Sequence, residues 1–160
     1  MLRSESRRDF VESIIRAAVA PGSPARDVFT AAGLRQSLLD RKSVVLSCGP
    51  SSLHLLALFK QFGIEAQIAS KLTRLSPGQS VGAALARGEG ELGFTQISEL
   101  LHIKGIRYLG PLGPQVQRPA NFAFSTPAKS PSSAVAAQLL AYLAEGGSKE
   151  LIRRHGLEPR

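Results

Sequence analysis

Small hydroxyl and amide side chains gather at three points where a predicted strand passes into a predicted helix. These junctions are residues 48–52, 76–80 and 95–98. Each offers the unpaired backbone N–H groups and the positive dipole end of a helix N-terminus. Together with uncharged donors, that chemistry suits a small oxyanion or carboxylate, although each residue taken alone is also an ordinary helix cap. The donors are Ser47, Ser51, Ser52, Ser76, Gln79, Ser80, Thr95, Gln96 and Ser98.

An alternation of short strands and helices must position these junctions. Apolar and β-branched runs predict strands at residues 14–20, 42–47, 65–69, 91–95 and 106–109. Apolar spacing and cap residues predict helices at 30–41, around 55–62, from Ser76-Pro77 to Gly88, and at 96–101. This alternation indicates an α/β fold with parallel pairing, in which the loops at the strand carboxyl ends share one edge.

The two ends of the chain read differently from the middle. Residues 1–13 are polar and charged and are predicted to form a poorly ordered extension. A strand is predicted at 121–125, followed by a helix that starts at Ser130-Pro131 and ends at Gly146-Gly147. A last short helix begins at Ser148 and stops at Gly156. The predicted organisation is therefore an extension (1–13), an α/β domain (14–118) and a returning segment (119–160).

No arrangement of side chains predicts catalysis. Cys48 lies between a strand and a helix, but the nearest histidine, His54, belongs to that same helix. The acids Glu89, Glu91 and Glu99 form no evident pair for acid–base work. The three histidines are scattered and there is one cysteine, so neither a metal site nor a cofactor is expected.

Composition narrows the class of protein further. The chain has 160 residues and a net charge of +8, with one cysteine and no tryptophan. A single cysteine excludes an intramolecular disulfide, and no apolar run reaches the ~20 residues of a membrane span. Basic residues do not alternate with aromatic ones, so a nucleic-acid partner is not expected.

Residues 42–159 resemble the type 2 periplasmic solute-binding proteins, in the branch similar to molybdate-binding proteins of ABC transporters. The stretches KSVVLSCGPSS and LFKQFGI look like the family's strand, ligand loop and helix. The most specific stretch is LSPGQSVGAALARGEGELGFTQISELLHIKGIRYLGPLGPQVQ, and AAQLLAYLAEGGSKELIRRHGLEP looks like its closing helices.

The resemblance implies a two-lobed Venus-flytrap fold that binds a small anion and delivers it to an ABC permease. It implies a second lobe with a mostly parallel sheet, plus a C-terminal strand and helices of an incomplete first lobe. The ligand would contact the segments that match the family's binding loops. In this chain they contribute Ser47, Gly49, Ser51, Ser52, Gly78, Gln79, Ser80, Val81, Thr95 and Gln96.

The chain also departs from the family pattern. Family members have a longer N-terminal stretch that builds most of the first lobe, and Cys48-Gly49 stands where Asp-Pro is common. No signal peptide is evident, so this chain is expected to be cytoplasmic unless its start is misplaced, although the family is periplasmic. Without first-lobe partners, Val135, Leu139 and Leu143 are expected to be exposed and to favour self-association.

Three functions remain open from the sequence. The first is a solute-binding protein, or a truncated remnant of one, that is not an enzyme. The second is an isomerase of small organic acids on the same fold, and the third is a cytoplasmic effector-sensing domain. Molybdate, sulfate, phosphate and carboxylates suit the donors equally well.

Overall fold

The computed structural model describes residues 6–127, 129–144 and 148–160. Within them the strands are β1 (Arg8–Ser13), β2 (Ile15–Val19), β3 (Val44–Leu46), β4 (Leu72–Arg74), β5 (Leu92–Gln96), β6 (Arg107–Pro111), β7 (Ala120–Phe124) and β8 (Glu158–Pro159). The helices are α1 (Ala31–Asp40), α2 (Pro50–Gln61), α3 (Glu65–Ile68), α4 (Val81–Ala86), α5 (Ile97–Leu100), α6 (Ser133–Ala144) and α7 (Lys149–Arg154). The chain divides into two units, residues 14–118 and residues 1–13 with 119–160.

A five-stranded sheet in the order β4-β3-β5-β2-β6 organises the unit 14–118. Strand β3 pairs in parallel with β4 and with β5, as the alternation of strands and helices predicted. Strand β2 lies between β5 and β6 and runs antiparallel to both. The carboxyl ends of β3, β4, β5 and β6 therefore share one edge with the start of β2, which we call the carboxyl edge.

Two apolar clusters cover the two faces of this sheet. The larger one packs α1 and α2 on one face through Leu34, Leu38, Leu55 and Phe59, all at most 1% exposed. The smaller one packs α4 and α5 on the other face around Val81, Leu85 and Leu100. Burying a large aliphatic or aromatic side chain contributes about 1.5–3 kcal/mol, so these two layers hold the sheet and its edge in place.

The prediction of a strand at residues 65–69 is wrong. Residues Glu65–Ile68 form α3 and Ala69–Lys71 continue as a 3-10 turn, so the strand comes later, as β4. Only Ile68 of α3 is buried, which is the pattern of a surface helix. A five-residue segment whose one large apolar side chain is Ile68 does not by itself distinguish a strand from a short helix.

Residues 112–117 close the unit by holding the first residue of β2. The Gln117 side chain accepts a hydrogen bond from the Ile15 backbone N–H (2.9 Å) and donates one to the Ile15 carbonyl (2.8 Å). The Leu112 backbone N–H donates to the same carbonyl at 3.4 Å. Because Ile15 is fully buried, these bonds fix the register of β2 at the carboxyl edge.

The other unit is built on a three-stranded antiparallel sheet in the order β7-β1-β8. Strand β1 corrects the prediction that residues 1–13 are poorly ordered, for the part of that segment from Arg8 onward. Its Val11 is 3% exposed and the Phe10 and Phe124 rings lie 5.3 Å apart, so apolar packing outweighs the local charge. Residues 1–5 lie outside the described part of the chain.

Helix α6 begins at Ser133, two residues after the predicted proline start. Val135 and Leu139 are exposed as expected, at 66% and 55%, and so is Tyr142 at 65%, whereas Leu143, also expected to be exposed, is partly buried. The predicted helix end at Gly146-Gly147 lies outside the described residues. A cavity of about 650 Å³ lies between α6 and the β1 and β7 strands of the same unit, lined mainly by alanines, Leu140 and Phe124.

Among the described residues, no helix has the length and apolar content needed to span a bilayer.

Candidate functional site

The junction between β3 and α2 combines a pair of hydroxyls with an uncapped helix. The Ser47 and Ser51 hydroxyl oxygens lie 3.1 Å apart, and Ser51 is 5% exposed. Gly49 is the N-cap of α2 and has no side chain to accept from the first-turn N–H groups. The Ser52 hydroxyl and backbone N–H both donate to the Gly49 carbonyl, at 2.8 and 3.1 Å. Pro50 at the first helical position has no N–H, so among the described residues the Ser51 N–H is the first-turn backbone donor left for another acceptor.

The second junction is a turn followed by a helix, not a helix from Ser76-Pro77 as predicted. The Gln79 backbone N–H donates to the Ser76 carbonyl at 3.1 Å, and the Ser76 N–H donates to the Gln79 side chain at 2.8 Å. Gly78 has φ +84°, which suits the third position of a type II turn after proline. The helix cap is Ser80, whose hydroxyl accepts from the Ala83 N–H at 3.3 Å, and Val81 is buried.

The third junction follows β5 directly. Thr95 is fully buried, and its hydroxyl donates to the Glu99 carboxylate at 2.6 Å. Gln96 is the N-cap of α5 and is 7% exposed, and its side-chain oxygen has no hydrogen-bond partner among the described residues. This junction thus holds one hydroxyl already paired to a carboxylate and one buried amide whose oxygen has no partner among the described residues.

The sheet register brings these junctions to one edge. Leu46 of β3 is level with Arg74 of β4 and with Phe94 of β5, so β3 and β4 end at the same height and β5 continues two residues beyond them. The Leu75 N–H extends the pairing of β3 and β4 by one bond to the Leu46 carbonyl, at 2.9 Å. All ten predicted site residues therefore belong to segments at the carboxyl edge, and their role in binding stays a prediction.

Two residues at this edge were not selected from the sequence. Arg16 of β2 pairs in register with Thr95 on one side and Pro111 on the other, and Gln117 holds the preceding residue. The signal for Arg16 was available, because it is the only charge within the apolar run IIRAAVA. Gln117 gives no such signal, since its role depends on a contact with a residue 102 positions away.

Cys48 and His54 do not form a nucleophile and base. Cys48 is exposed, whereas the His54 ring Nε2 lies 2.8 Å from the Val116 carbonyl. This contact between His54 and Val116 holds the 112–117 segment against α2. No group of three metal-ligating side chains occurs within the described residues.

The opposite edge of the sheet has a structural arginine. Arg41 is 3% exposed and its guanidinium donates to the Pro24 carbonyl, which holds the loop before α1. Burial lowers the pKa of Arg41, and the neighbouring Glu91 acts in the opposite direction. Arg41 is therefore an arginine with a structural role, because it holds the loop that contains Pro24.

The fold and its edge of donors define the α/β ligand-binding lobe of type 2 periplasmic binding proteins. The chain belongs to the bacterial extracellular solute-binding protein family, whose sequence profile matches residues 1–158. This confirms the solute-binding family that the sequence motifs indicated.

Individual relatives differ in what their names describe. The chain is 34% identical over 156 residues to an aconitate isomerase from a Pseudomonas species, covering 97% of this chain and 59% of the relative. It spans about three fifths of that protein's length. Its structure is similar to the periplasmic molybdate-binding protein of Azotobacter vinelandii (TM-score 0.70, 16% identity, covering 98% of this chain and 69% of that one). It is also similar to PEB3 with bound L-phospholactate (TM-score 0.73, 12% identity, 99% and 71%).

Proposed function

We propose that this chain is the ligand-binding part of a solute-binding protein that holds a small organic acid or oxyanion at the carboxyl edge. The observation that carries the proposal is the start of α2. This 12-residue helix has no side-chain cap, whereas α1 and α4 are capped by Thr30 and Ser80. An anion at that position accepts from the Ser51 backbone N–H and from the paired hydroxyls of Ser47 and Ser51.

The family and its neighbours support this class of ligand. One relative is named for aconitate, one neighbour for molybdate, and one structure contains L-phospholactate. All three are small anions. Delivery to an ABC permease follows from the family's general role and is part of the same proposal.

A thermal melt of the chain with a panel of anions tests binding. The panel contains trans-aconitate, citrate, phospholactate, molybdate and sulfate. A ligand at one hundred times its dissociation constant adds about 2.7 kcal/mol, which raises the midpoint of a domain this size by about 5–10 °C. A midpoint unmoved by every anion contradicts the proposal.

A matched pair of serine variants locates the site. Ser51→Ala removes a hydroxyl from the proposed cradle, and Ser70→Ala removes one from an exposed turn. The first is expected to reduce the anion-induced shift and the second to leave it unchanged. Equal shifts in both variants would place the ligand elsewhere.

A second candidate function is isomerisation of an unsaturated organic acid. It is favoured by the identity to the aconitate isomerase and by the Glu99 carboxylate, 2.6 Å from the Thr95 hydroxyl. Glu99 would remove a proton from the methylene carbon beside the double bond and return it to the far end of the allylic system. The double bond shifts, and no other reactant is needed.

Proton NMR in D₂O separates the two functions. An isomerase converts trans-aconitate to its cis isomer and incorporates deuterium, whereas a binding protein does neither. Glu99→Gln is expected to abolish conversion while keeping the ligand-induced rise in melting midpoint. Absence of both conversion and deuterium incorporation in the unmodified chain would rule out this candidate.

A further inference from the structure

Arg16 is a charged residue in the sheet that has neither an ion pair nor a hydrogen-bond partner for its side chain among the described residues. It lies in β2 between Ile15 and Ala17, both fully buried, in the interior of the five-stranded sheet. Its own side chain is partly buried, and its Nε is buried with no hydrogen-bond partner among the described residues. Within residues 6–127, 129–144 and 148–160, Arg16 belongs to none of the ion pairs closer than 4.0 Å.

Arg41 shows what a structural arginine does in the same sheet. Its Nε, like that of Arg16, is buried without a hydrogen-bond partner among the described residues, but its guanidinium donates to the Pro24 carbonyl and so ties a loop to the edge opposite Arg16. Arg16 makes no comparable contact within the described part of the chain. Burying part of a charged group without a partner is unfavourable, so an arginine kept in this position requires another reason.

The register places Arg16 beside the proposed cradle. Arg16 pairs with Thr95 across the antiparallel β2 and β5 strands, so the two side chains project from the same face of the sheet. Leu46 is level with Phe94, and the next residues are Ser47, directly after β3, and Thr95 of β5. Ser47, Thr95 and Arg16 therefore lie in one row across three neighbouring strands at the carboxyl edge.

The register of Arg16 is also held firmly. Gln117 makes two hydrogen bonds to the backbone of Ile15, the residue immediately before it. Pro111, opposite Arg16 on β6, contributes no N–H group and restricts the backbone there. The backbone from which the Arg16 side chain extends is thus fixed before any ligand arrives, which reduces the ordering cost of binding.

We propose that Arg16 is the cationic receptor for a carboxylate of the bound ligand, and that the ligand is therefore an organic acid. This inference rests on the proposed binding function and specifies its substrate class. The planar guanidinium presents two parallel N–H donors that match the two oxygens of a carboxylate. A second anionic group of the same acid would occupy the neutral donors at the start of α2. Arg16 is in this sense a specificity-determining residue for organic acids.

Two variants and a matched control test the role of Arg16. Arg16→Met keeps much of the side-chain length and removes the charge, whereas Arg16→Lys keeps the charge and removes the two parallel N–H donors. The control, Arg107→Met, removes an exposed arginine from the neighbouring strand. Dissociation constants are measured by calorimetry for trans-aconitate, citrate, phospholactate and molybdate. We expect Arg16→Met to weaken the organic acids about 10- to 100-fold, Arg16→Lys to weaken them less, and Arg107→Met to change nothing.

The melting midpoint without ligand provides an independent readout. Since Arg16 has no structural partner among the described residues, Arg16→Met is expected to melt at or above the temperature of the unmodified chain, as when a functional charge is removed. A midpoint several degrees lower would make Arg16 structural and overturn the inference.

The binding results separate failure of the inference from failure of the proposed function. If the unmodified chain binds organic acids and Arg16→Met binds them within threefold as well, the inference is wrong and the proposed function stands. Binding of molybdate alone, unaffected by Arg16→Met, has the same meaning. If the unmodified chain binds none of the four anions, the proposed function fails and the inference fails with it.

Discussion

Replacing Gln117 with leucine is expected to loosen the edge on which the proposed site depends. The Gln117 amide makes a reciprocal pair of hydrogen bonds with the backbone N–H and carbonyl of Ile15, at 2.9 and 2.8 Å. Leucine is similar in size and can make neither bond. The Ile15 carbonyl keeps the Leu112 N–H at 3.4 Å, but the Ile15 N–H loses its acceptor in a fully buried position.

The size of the effect follows from these bonds. A net hydrogen bond contributes about 0.5–1.5 kcal/mol, and a buried donor left unsatisfied costs about 1–3 kcal/mol. The Ile15 carbonyl loses the Gln117 hydrogen bond but keeps the longer one from Leu112. We therefore expect Gln117→Leu to lower the free energy of unfolding by about 2–4 kcal/mol. At about 2–4 °C per kcal/mol for a chain of this size, the melting midpoint falls by about 5–15 °C.

Gln115→Leu is the matched control, because it makes the same substitution two residues away on an exposed side chain. Melting of both variants and of the unmodified chain is followed by circular dichroism. The anion-induced rise in midpoint is also expected to be smaller in Gln117→Leu, because the register of Arg16 is less firmly held. A midpoint for Gln117→Leu within 1 °C of Gln115→Leu would refute the reasoning, whatever the effect on binding.

Three further predictions concern other parts of the chain. A Cβ added to Gly113 would lie 2.0 Å from the Phe29 carbonyl oxygen, so Gly113→Ala should lower the melting midpoint by an amount equivalent to about 1–3 kcal/mol. The hydrogen bond from the Thr30 hydroxyl, with that from the Phe29 N–H, lowers the pKa of Asp27, so its stabilisation is present above the unfolded pKa and is lost as pH falls. The difference in melting midpoint between the unmodified chain and Asp27→Ala should therefore shrink between about pH 6 and pH 3. Leu139 is 55% exposed on α6, so Leu139→Lys should reduce the self-association that we expect for the 160-residue chain in sedimentation at high concentration, and a monodisperse monomer before substitution would contradict this.

The parts of the fold with strong local signals were predictable from the sequence. Helix α1 has the Thr30 cap and apolar residues at helical spacing, and the structure gives the same cap and buries Leu34 and Leu38. Helix α2 and strands β3 and β5 likewise follow from apolar runs of the right length. These elements were sufficient to predict that the three junctions share one edge.

The errors occurred where tertiary packing or a competing turn decides the outcome. Ser76-Pro77 has the residues of a helix start, but Gly78 favours a turn and moves the cap to Ser80. Residues 8–13 read as a polar extension, yet Phe10 packs against Phe124, more than one hundred positions away. The role of Gln117 could not be predicted for the same reason, because local sequence patterns do not reveal long-range contacts.

Binding and isomerisation need the same cradle and differ in one further group. In either case the charged ends of an organic acid would be fixed by the Ser51 N–H, the hydroxyls of Ser47 and Ser51, and the guanidinium of Arg16. Fixing both ends leaves the carbon chain between them in a defined position, which is also the condition for directed proton removal. The Thr95 hydroxyl already orients the Glu99 carboxylate at that edge. The distinction between a carrier and an isomerase therefore depends on whether Glu99 reaches the bound carbon chain, and not on any change in fold.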